Sequence, residues 1–519
     1  MLSSGPTTPY DDVLYPGRVY GSTHPNRLAT MATLYGMRPT PVERCRVLEL
    51  GCGFGGNLTP MAFQYPDSEF VGVDLSGSTI AQGQRDVAAF GLTNVKLVHT
   101  DIMDVDSSFG QFDYIISHGV YSWVPSAVRE RMMEIFKSHL TPHGVCYVSY
   151  NALPFSHMRN LARDMMLFHT RDLPDMNQKV SQARAIMQFL SDATNADTVY
   201  GAVMREQNDR IVKMPDEVLF HDDLSEIAEP FLLHQVVDHA GRRGLQYLCD
   251  AEFFRRNLSR YSEAVRAVLQ QFPDNEFMLR DQYHDFVDGC GFRRTLLCHS
   301  GIALQRQVGI DFVRRFYLLS STAPVDESFC LTDASDMEFR TYDGSTLRVS
   351  HPVLKAAHLC LGRAWPRSFT FDELLGEASR LLESTVRPDS EEARILTESI
   401  YVMAFNGEVT FQVSRVGLTA TIDDRPLVAR LARKQSESDT VVTNLLHQSV
   451  RLEDEQACRI LQLLDGTRTF DELVVEICRP GFVAATIPEQ GSQALDPVAV
   501  SANLQRFLKT ASKLGLLFR

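Results

Sequence analysis

The stretch from Cys45 to Asn151 constrains the fold most, because short apolar strands alternate there with amphipathic helices. Arg46–Leu50 reads as a strand that runs into a glycine turn, Glu49-Leu50-Gly51-Cys52-Gly53-Phe54-Gly55-Gly56-Asn57. Phe70–Asp74 reads as a second strand, Ser78–Phe90 as a helix, and Val95–Thr100 and Phe112–Ser117 as the third and fourth strands. Ala127–Leu140 reads as a helix before a fifth strand, Gly144–Tyr150. This order predicts an α/β fold with a parallel, doubly wound sheet. Right-handed crossovers place the strand C-termini along one edge, where ligands bind.

Glycine in the turn permits positive φ and lets the backbone approach a ligand closely. Behind it, Leu58–Phe63 reads as the start of a helix, whose first N–H groups lack partners within the helix. Gly51, Gly53 and Gly56 also match G-x-G-x-x-G, a pattern shared with dinucleotide enzymes. Three acids shift the reading. Glu49 precedes the first glycine, where a carboxylate suits an ammonium and repels a pyrophosphate. Asp74 ends the second strand and can accept from ribose hydroxyls, a device dinucleotide folds use too. Asp101-Ile102 follows the third strand and suits an adenine amino group and ring face. Any one of them is equally an ordinary turn or cap residue. Together they resemble the motifs of class I methyltransferases. The resemblance implies S-adenosyl-L-methionine as cofactor, held by Glu49, Gly51, Cys52, Gly53, Gly55, Asn57, Asp74, Leu75, Asp101, Ile102, His118 and Gly119. The ten cysteines are scattered, without the close spacing an iron–sulfur cluster needs. No metal site is expected.

Methyl transfer from a sulfonium is a displacement, so alignment and exclusion of water are the main tasks. The acceptor side is expected after the fourth strand, in Ser117-His118-Gly119-Val120-Tyr121-Ser122-Trp123-Val124-Pro125. It lacks the Asn-Pro-Pro-Tyr type of sequence that serves planar amines. Several segments resemble one family more closely: Tyr15-Pro16, Thr23–Ala29, Cys45–Gly53, His118–Pro125, Val148–Asn151, Gly244–Leu248 and Phe292–Cys298. The family is the bacterial methyltransferases with a methyltransferase regulatory domain, including rickettsial-type protein-lysine methyltransferases that act on outer-membrane protein. One departure is Leu153–His157, where relatives tend to carry Pro-Gly-Trp. The resemblance implies a protein substrate, an outer-membrane protein before export, with lysine as acceptor. Tyr121 and Trp123 are then expected to wall the lysine pocket, and Tyr15, Tyr20 and His24 to close it. His118 or His24 is a candidate proton acceptor, as is water. Trp123 could equally pack a loop, and His24 could equally start a helix. A small-molecule methyltransferase and a cofactor-sensing, partner-binding regulator are the competing readings.

Beyond the core the chain divides into an N-terminal segment (1–44), the methyltransferase core (45–155), a regulatory region (156–305) and a C-terminal domain (306–519). Residues 155–230 read as mainly helical. Phe231–Ala240 reads as a helix, and Leu245–Ala251 and Arg293–His299 as strands that either finish the same Rossmann-like sheet after the helical insertion, the preferred reading, or belong to a separate domain. His221-Asp222-Asp223 reads as an exposed turn. In the C-terminal domain Thr370-Phe371-Asp372-Glu373-Leu374 recurs as Thr469-Phe470-Asp471-Glu472-Leu473. Both fit a capping box. Each is followed by a helix, a glycine and an apolar strand, suggesting two winged-helix-like units; two independent helix starts would look the same.

The formal net charge of -14 argues against a general grip on nucleic acid. The first residues lack the pattern of a secretory signal, and no apolar run is long enough to span a bilayer. A cytoplasmic protein without membrane insertion is therefore expected.

Overall fold

The computed structural model describes Val13, Tyr15 and residues 17–252, 257–273, 276–326, 328–341, 344–479, 482 and 496–518. Pro16 lies outside them. Seven strands form the central sheet: β1 (Arg46–Leu50), β2 (Glu69–Asp74), β3 (Val95–His99), β4 (Phe112–Ser117), β5 (Leu140–Asn151), β6 (Leu245–Asp250) and β7 (Phe292–His299). Their order is β3-β2-β1-β4-β5-β7-β6. The first five are parallel, whereas β7 runs antiparallel to both β5 and β6. The late strands thus join the same sheet, after an insertion of four helices (Ser156–Thr170, Met176–Ala193, Val199–Val212, Asp216–Asp223) and the helix Leu233–Arg242. Strand β5 starts earlier than its glycine suggests. Leu140 pairs with Phe112, and a register shift then brings Val145 opposite Tyr114.

Alternation along β5 sorts its side chains to two faces. Cys146, Val148 and Tyr150 join Leu48, Leu50, Tyr121 and Phe231 in one core layer. Val145 and Tyr147 join the other, with Leu28, Ala32 and Tyr35 of the N-terminal helix Pro25–Leu34. This second layer continues into Phe312, Leu318, Leu361, Leu374, Leu396 and Phe411. The first part of the C-terminal region therefore shares a core with the sheet.

Beyond it, Val428, Leu461, Leu473, Leu504 and Leu517 pack in a core of their own. Both expected capping boxes form. Thr370 accepts from the Glu373 N–H while Glu373 accepts from the Thr370 N–H, and Thr469 and Glu472 repeat the pattern. Each unit ends in a long helix, Glu391–Phe405 or Pro497–Lys513, followed by a left-handed glycine, Gly407 or Gly515. Among the described residues no helix is long and apolar enough to cross a membrane.

Candidate active site

The strand order reverses between β1 and β4, and a crevice opens at such a point beyond the strand C-termini. Leaving β1, the chain turns through Gly51 (φ 74°) and Gly53 (φ 55°), a conformation that a side chain would strain. The Gly51 and Cys52 N–H groups still donate to Val73 O of β2, at 2.9 and 3.0 Å. The turn is thus anchored to the sheet while its outer face stays toward the crevice.

Asp74 holds this turn. Its Oδ2 accepts from the Gly53 N–H at 2.8 Å and its Oδ1 from the Ser76 N–H at 2.9 Å. Each carboxylate oxygen has a second lone pair, so accepting from ribose hydroxyls is compatible with both bonds. Asp101 caps the turn Ile102–Asp104 by accepting from the Met103 N–H at 2.9 Å. Ile102 is half-buried beside it, and Leu75 is exposed. Cys52 is buried and packs under the turn.

Glu49 is 3 % exposed. Its Oε1 accepts from Asn57 Nδ2 at 2.8 Å, while its Oε2 is buried with no hydrogen-bond partner among the described residues. Burial pushes its pKa up to about 8, against the pull of Asn57. A buried acceptor left unpaired costs free energy. A cationic donor would satisfy this oxygen. These residues fit S-adenosylmethionine: an ammonium acceptor at Glu49, a ribose acceptor at Asp74, and a glycine turn that leaves room between them.

Asn57 ties this carboxylate to the N-terminal segment. Its Nδ2 also donates to Thr23 Oγ1 at 3.0 Å, and its Oδ1 accepts from the Tyr20 N–H at 3.2 Å. The segment lies directly on the turn. A Cβ on Gly17 would stand 1.9 Å from the Phe54 ring, so only glycine fits in this arrangement.

Across the crevice, His118 follows β4. Its ring stacks on Tyr20 with centroids 3.7 Å apart, and its Nδ1 lies 2.9 Å from the Tyr147 hydroxyl. Burial holds its pKa down at about 3, so the ring is neutral. The Gly119 N–H donates to Ser149 Oγ at 2.8 Å. Tyr147 escaped the sequence reading, and Ser149 stood there only within the family segment Val148–Asn151, although two polar tips at alternate positions of an apolar strand are a legible signal.

Three expectations need correction, two of them for the acceptor side. Tyr121 does not wall the crevice. It is 2 % exposed in the opposite core layer, its hydroxyl is 2.7 Å from His239 Nδ1, and Phe231 packs against its ring. His24 is no proton acceptor. Its Nδ1 accepts from the Asn26 N–H at 3.3 Å and so caps the helix Pro25–Leu34; its Nε2–H then faces Gln64 Oε1 at 3.2 Å. Both nitrogens are engaged, and burial lowers its pKa to about 4. His221-Asp222-Asp223 is not an exposed turn but the buried end of the helix Asp216–Asp223. Arg159 and Arg210 both grip Asp223, each with an oxygen at 2.9 Å.

That helix end carries the other wall. His221 Nε2 donates to Val13 O at 2.8 Å, and Tyr15 meets the His221 ring edge-on at 5.9 Å. Tyr15 thus covers the insertion rather than His118. Burial raises Asp222 to about 6, against the pull of Arg159 and of a hydrogen bond from Tyr15; its charge is also felt at Tyr20. Trp123 is half-buried with the Arg159 guanidinium over its ring at 5.6 Å.

Family models match three stretches of the chain: a methyltransferase domain over residues 47–144, a predicted methyltransferase regulatory domain over 215–299, and the "PKMT, C-terminal winged helix domain" over 424–514. An uncharacterized protein of Rickettsia prowazekii, RP789, is 32 % identical over 450 residues, 85 % of this chain and 80 % of that protein. A second protein of that organism, RP028, is 36 % identical over 240 residues, 46 % of this chain and 96 % of its own. Among solved structures, PKMT2 from Rickettsia typhi in complex with AdoHcy superposes with a TM-score of 0.87 at 28 % identity, covering 97 % of this chain and 99 % of that one.

Proposed function

Because the chain belongs to the S-adenosylmethionine-dependent methyltransferases of the rickettsial PKMT type, we propose that it methylates lysine side chains of a protein substrate. The bound cofactor supplies an electrophilic methyl group on a sulfonium. Glu49 receives its ammonium, Asp74 its ribose, and Asp101 with Ile102 its adenine.

The observation that carries the lysine reading is the wall opposite the glycine turn. Tyr20 stacked on a neutral His118, with Tyr147 behind it, makes an aromatic surface whose own rings are uncharged, with Arg18 and Arg294 felt at its edges. Such a surface attracts an ammonium and, once desolvated, favours the neutral amine that attacks. His118 is too weak a base at about 3 to take the proton, so it orients. Asp222 is the carboxylate that an incoming ammonium meets, and water carries the proton away. Trp123, with Arg159 on its ring, shapes the outer rim.

The substrate is an outer-membrane protein, met in the cytoplasm as an unfolded chain before export. The net charge of -14 steers a lysine-rich chain toward the enzyme. The test is incubation with methyl-labelled cofactor and unfolded outer-membrane protein of the host, followed by amino-acid analysis. Methyl-lysine is expected. Label confined to small molecules or RNA would refute the reading, and cellular function retained by Asp74→Ala would point to a partner-binding role that does not need the cofactor.

A further inference from the structure

His447 lies in sequence far from every strand of the sheet, yet it touches the cofactor crevice. It sits in the turn between the strands Val441–Thr443 and Ser449–Arg451 of the C-terminal unit, and it is 2 % exposed. Its φ of 58° is left-handed, a conformation few side-chain-bearing residues adopt. The turn is built to hold it there. Asn444 Oδ1 accepts from the N–H groups of Leu446 and Gln448, at 3.0 and 2.8 Å. Asn444 Nδ2 donates to Leu514 O at 2.8 Å, and the Leu445 N–H donates to Gly515 O at 3.1 Å, so the turn is fastened to the end of the last helix.

From this turn His447 Nε2 lies 2.9 Å from Asn57 Oδ1. The direction of that bond follows from its neighbours. The Tyr20 N–H can only donate, and it points at the same oxygen. The oxygen is therefore an acceptor, and Nε2 carries the hydrogen. On its other end Asn57 donates to Glu49 Oε1 at 2.8 Å. The chain His447–Asn57–Glu49 is buried throughout and ends at the unpaired Glu49 Oε2. The N-terminal helix is clamped from the same side. Asn26 Oδ1 accepts from the Val413 N–H at 2.9 Å, and Asn26 Nδ2 donates to Ser414 O at 3.0 Å.

We propose that His447 is a positioning residue for the amino-acid end of the cofactor, so that the C-terminal unit completes the cofactor site. The histidine fixes the Asn57 amide, and the amide fixes the Glu49 carboxylate at the angle the ammonium needs. This rests on the reading of Glu49 as the ammonium's partner. A buried amide with one fewer donor turns more freely, and its grip on Glu49 loosens. Coupling of this kind is reciprocal, so an occupied Glu49 must hold the turn more firmly in place.

The test compares two ligands on the full chain by calorimetry: AdoHcy, and 5′-methylthioadenosine, which has the nucleoside and sulfur but no amino-acid end. His447→Leu is expected to weaken AdoHcy about tenfold, the size of one buried hydrogen bond, and 5′-methylthioadenosine less than about twofold. His447→Gln keeps an N–H donor and should restore AdoHcy binding to within about threefold of the parent. Equal weakening of both ligands, or of neither, overturns the proposal. Glu49→Gln separates the two layers. If it abolishes the preference for AdoHcy while His447→Leu does not, the relay alone is wrong; if it leaves the preference intact, the reading of Glu49 falls and the relay with it. Should His447→Leu fold poorly, hydrogen exchange on the parent decides. AdoHcy must slow the amides of Leu445–Gln448 and 5′-methylthioadenosine must not; equal protection by both refutes it.

Discussion

Cofactor binding should expel a proton, and the amount can be worked from Glu49. Its carboxyl is buried, hydrogen-bonded through Oε1 alone among the described residues, and raised to about 8. At pH 7 about nine in ten ligand-free molecules hold a proton there. An ammonium needs the carboxylate, so binding at pH 7 must release about 0.9 proton. The apparent affinity then carries a penalty of about 1.4 kcal/mol relative to an ionised site. The sign is unambiguous: affinity rises about tenfold per unit of pH up to 7, and levels off above about 8. Calorimetry with AdoHcy in buffers of different ionisation enthalpy counts the protons directly. Glu49→Gln should bring the count near zero and flatten the profile. A parent protein that releases no proton at pH 7, with an affinity constant from pH 6 to 8, would refute the placement of the ammonium at Glu49.

The acceptor wall is tested by Tyr147→Phe, which removes the hydroxyl beside His118 Nδ1. Its kcat should fall about tenfold by misalignment while its calorimetric affinity for AdoHcy shifts less than about twofold. Asp222→Asn should raise KM for a lysine-rich substrate several-fold and leave most of its salt dependence, which the net charge of -14 carries, read from initial rates between low and physiological salt. Acid should weaken the fold through histidines buried in the neutral form, since His24 titrates at about 4 and His118 at about 3 when folded but near 6.5 when unfolded. The histidines' share of stability is then complete above pH 6.5 and declines as pH falls, by about 3 kcal/mol from His24 alone at pH 4, against an opposing gain from Glu49, whose carboxyl raised to about 8 costs stability above pH 4.5. Urea unfolding should show this, and His24→Asn, which keeps a helix cap, should remove its share.

The sheet was legible because its signals are local. Strand periodicity, glycine punctuation and acids at strand ends all lie within a few residues of what they specify; Gly53 does meet Asp74, and Glu49 meets Asn57. The acceptor wall was less legible because it depends on which face a side chain takes after the sheet ends. Tyr121 sits only three residues after His118, yet the loop sends it into the opposite core layer, while Tyr147 reaches His118 from the neighbouring strand. His221–Asp223 looked exposed because nothing local shows that Arg159 and Arg210 will cover it. His447 carries no motif. Its role rests on packing of the C-terminal unit against the N-terminal segment, a contact written in no spacing along the chain.

One consequence follows from the segment that lies on the glycine turn through Gly17. The same few residues supply Tyr20 to the surface that stacks on His118. On the proposed reading, a segment that must lift for spent cofactor to leave takes the acceptor's own wall with it. If the acceptor is the proposed lysine, it cannot wait in place while the cofactor is renewed. Each methyl group is then delivered in a separate encounter, and in a time course singly methylated lysines should build up across the substrate before doubly or triply methylated ones appear.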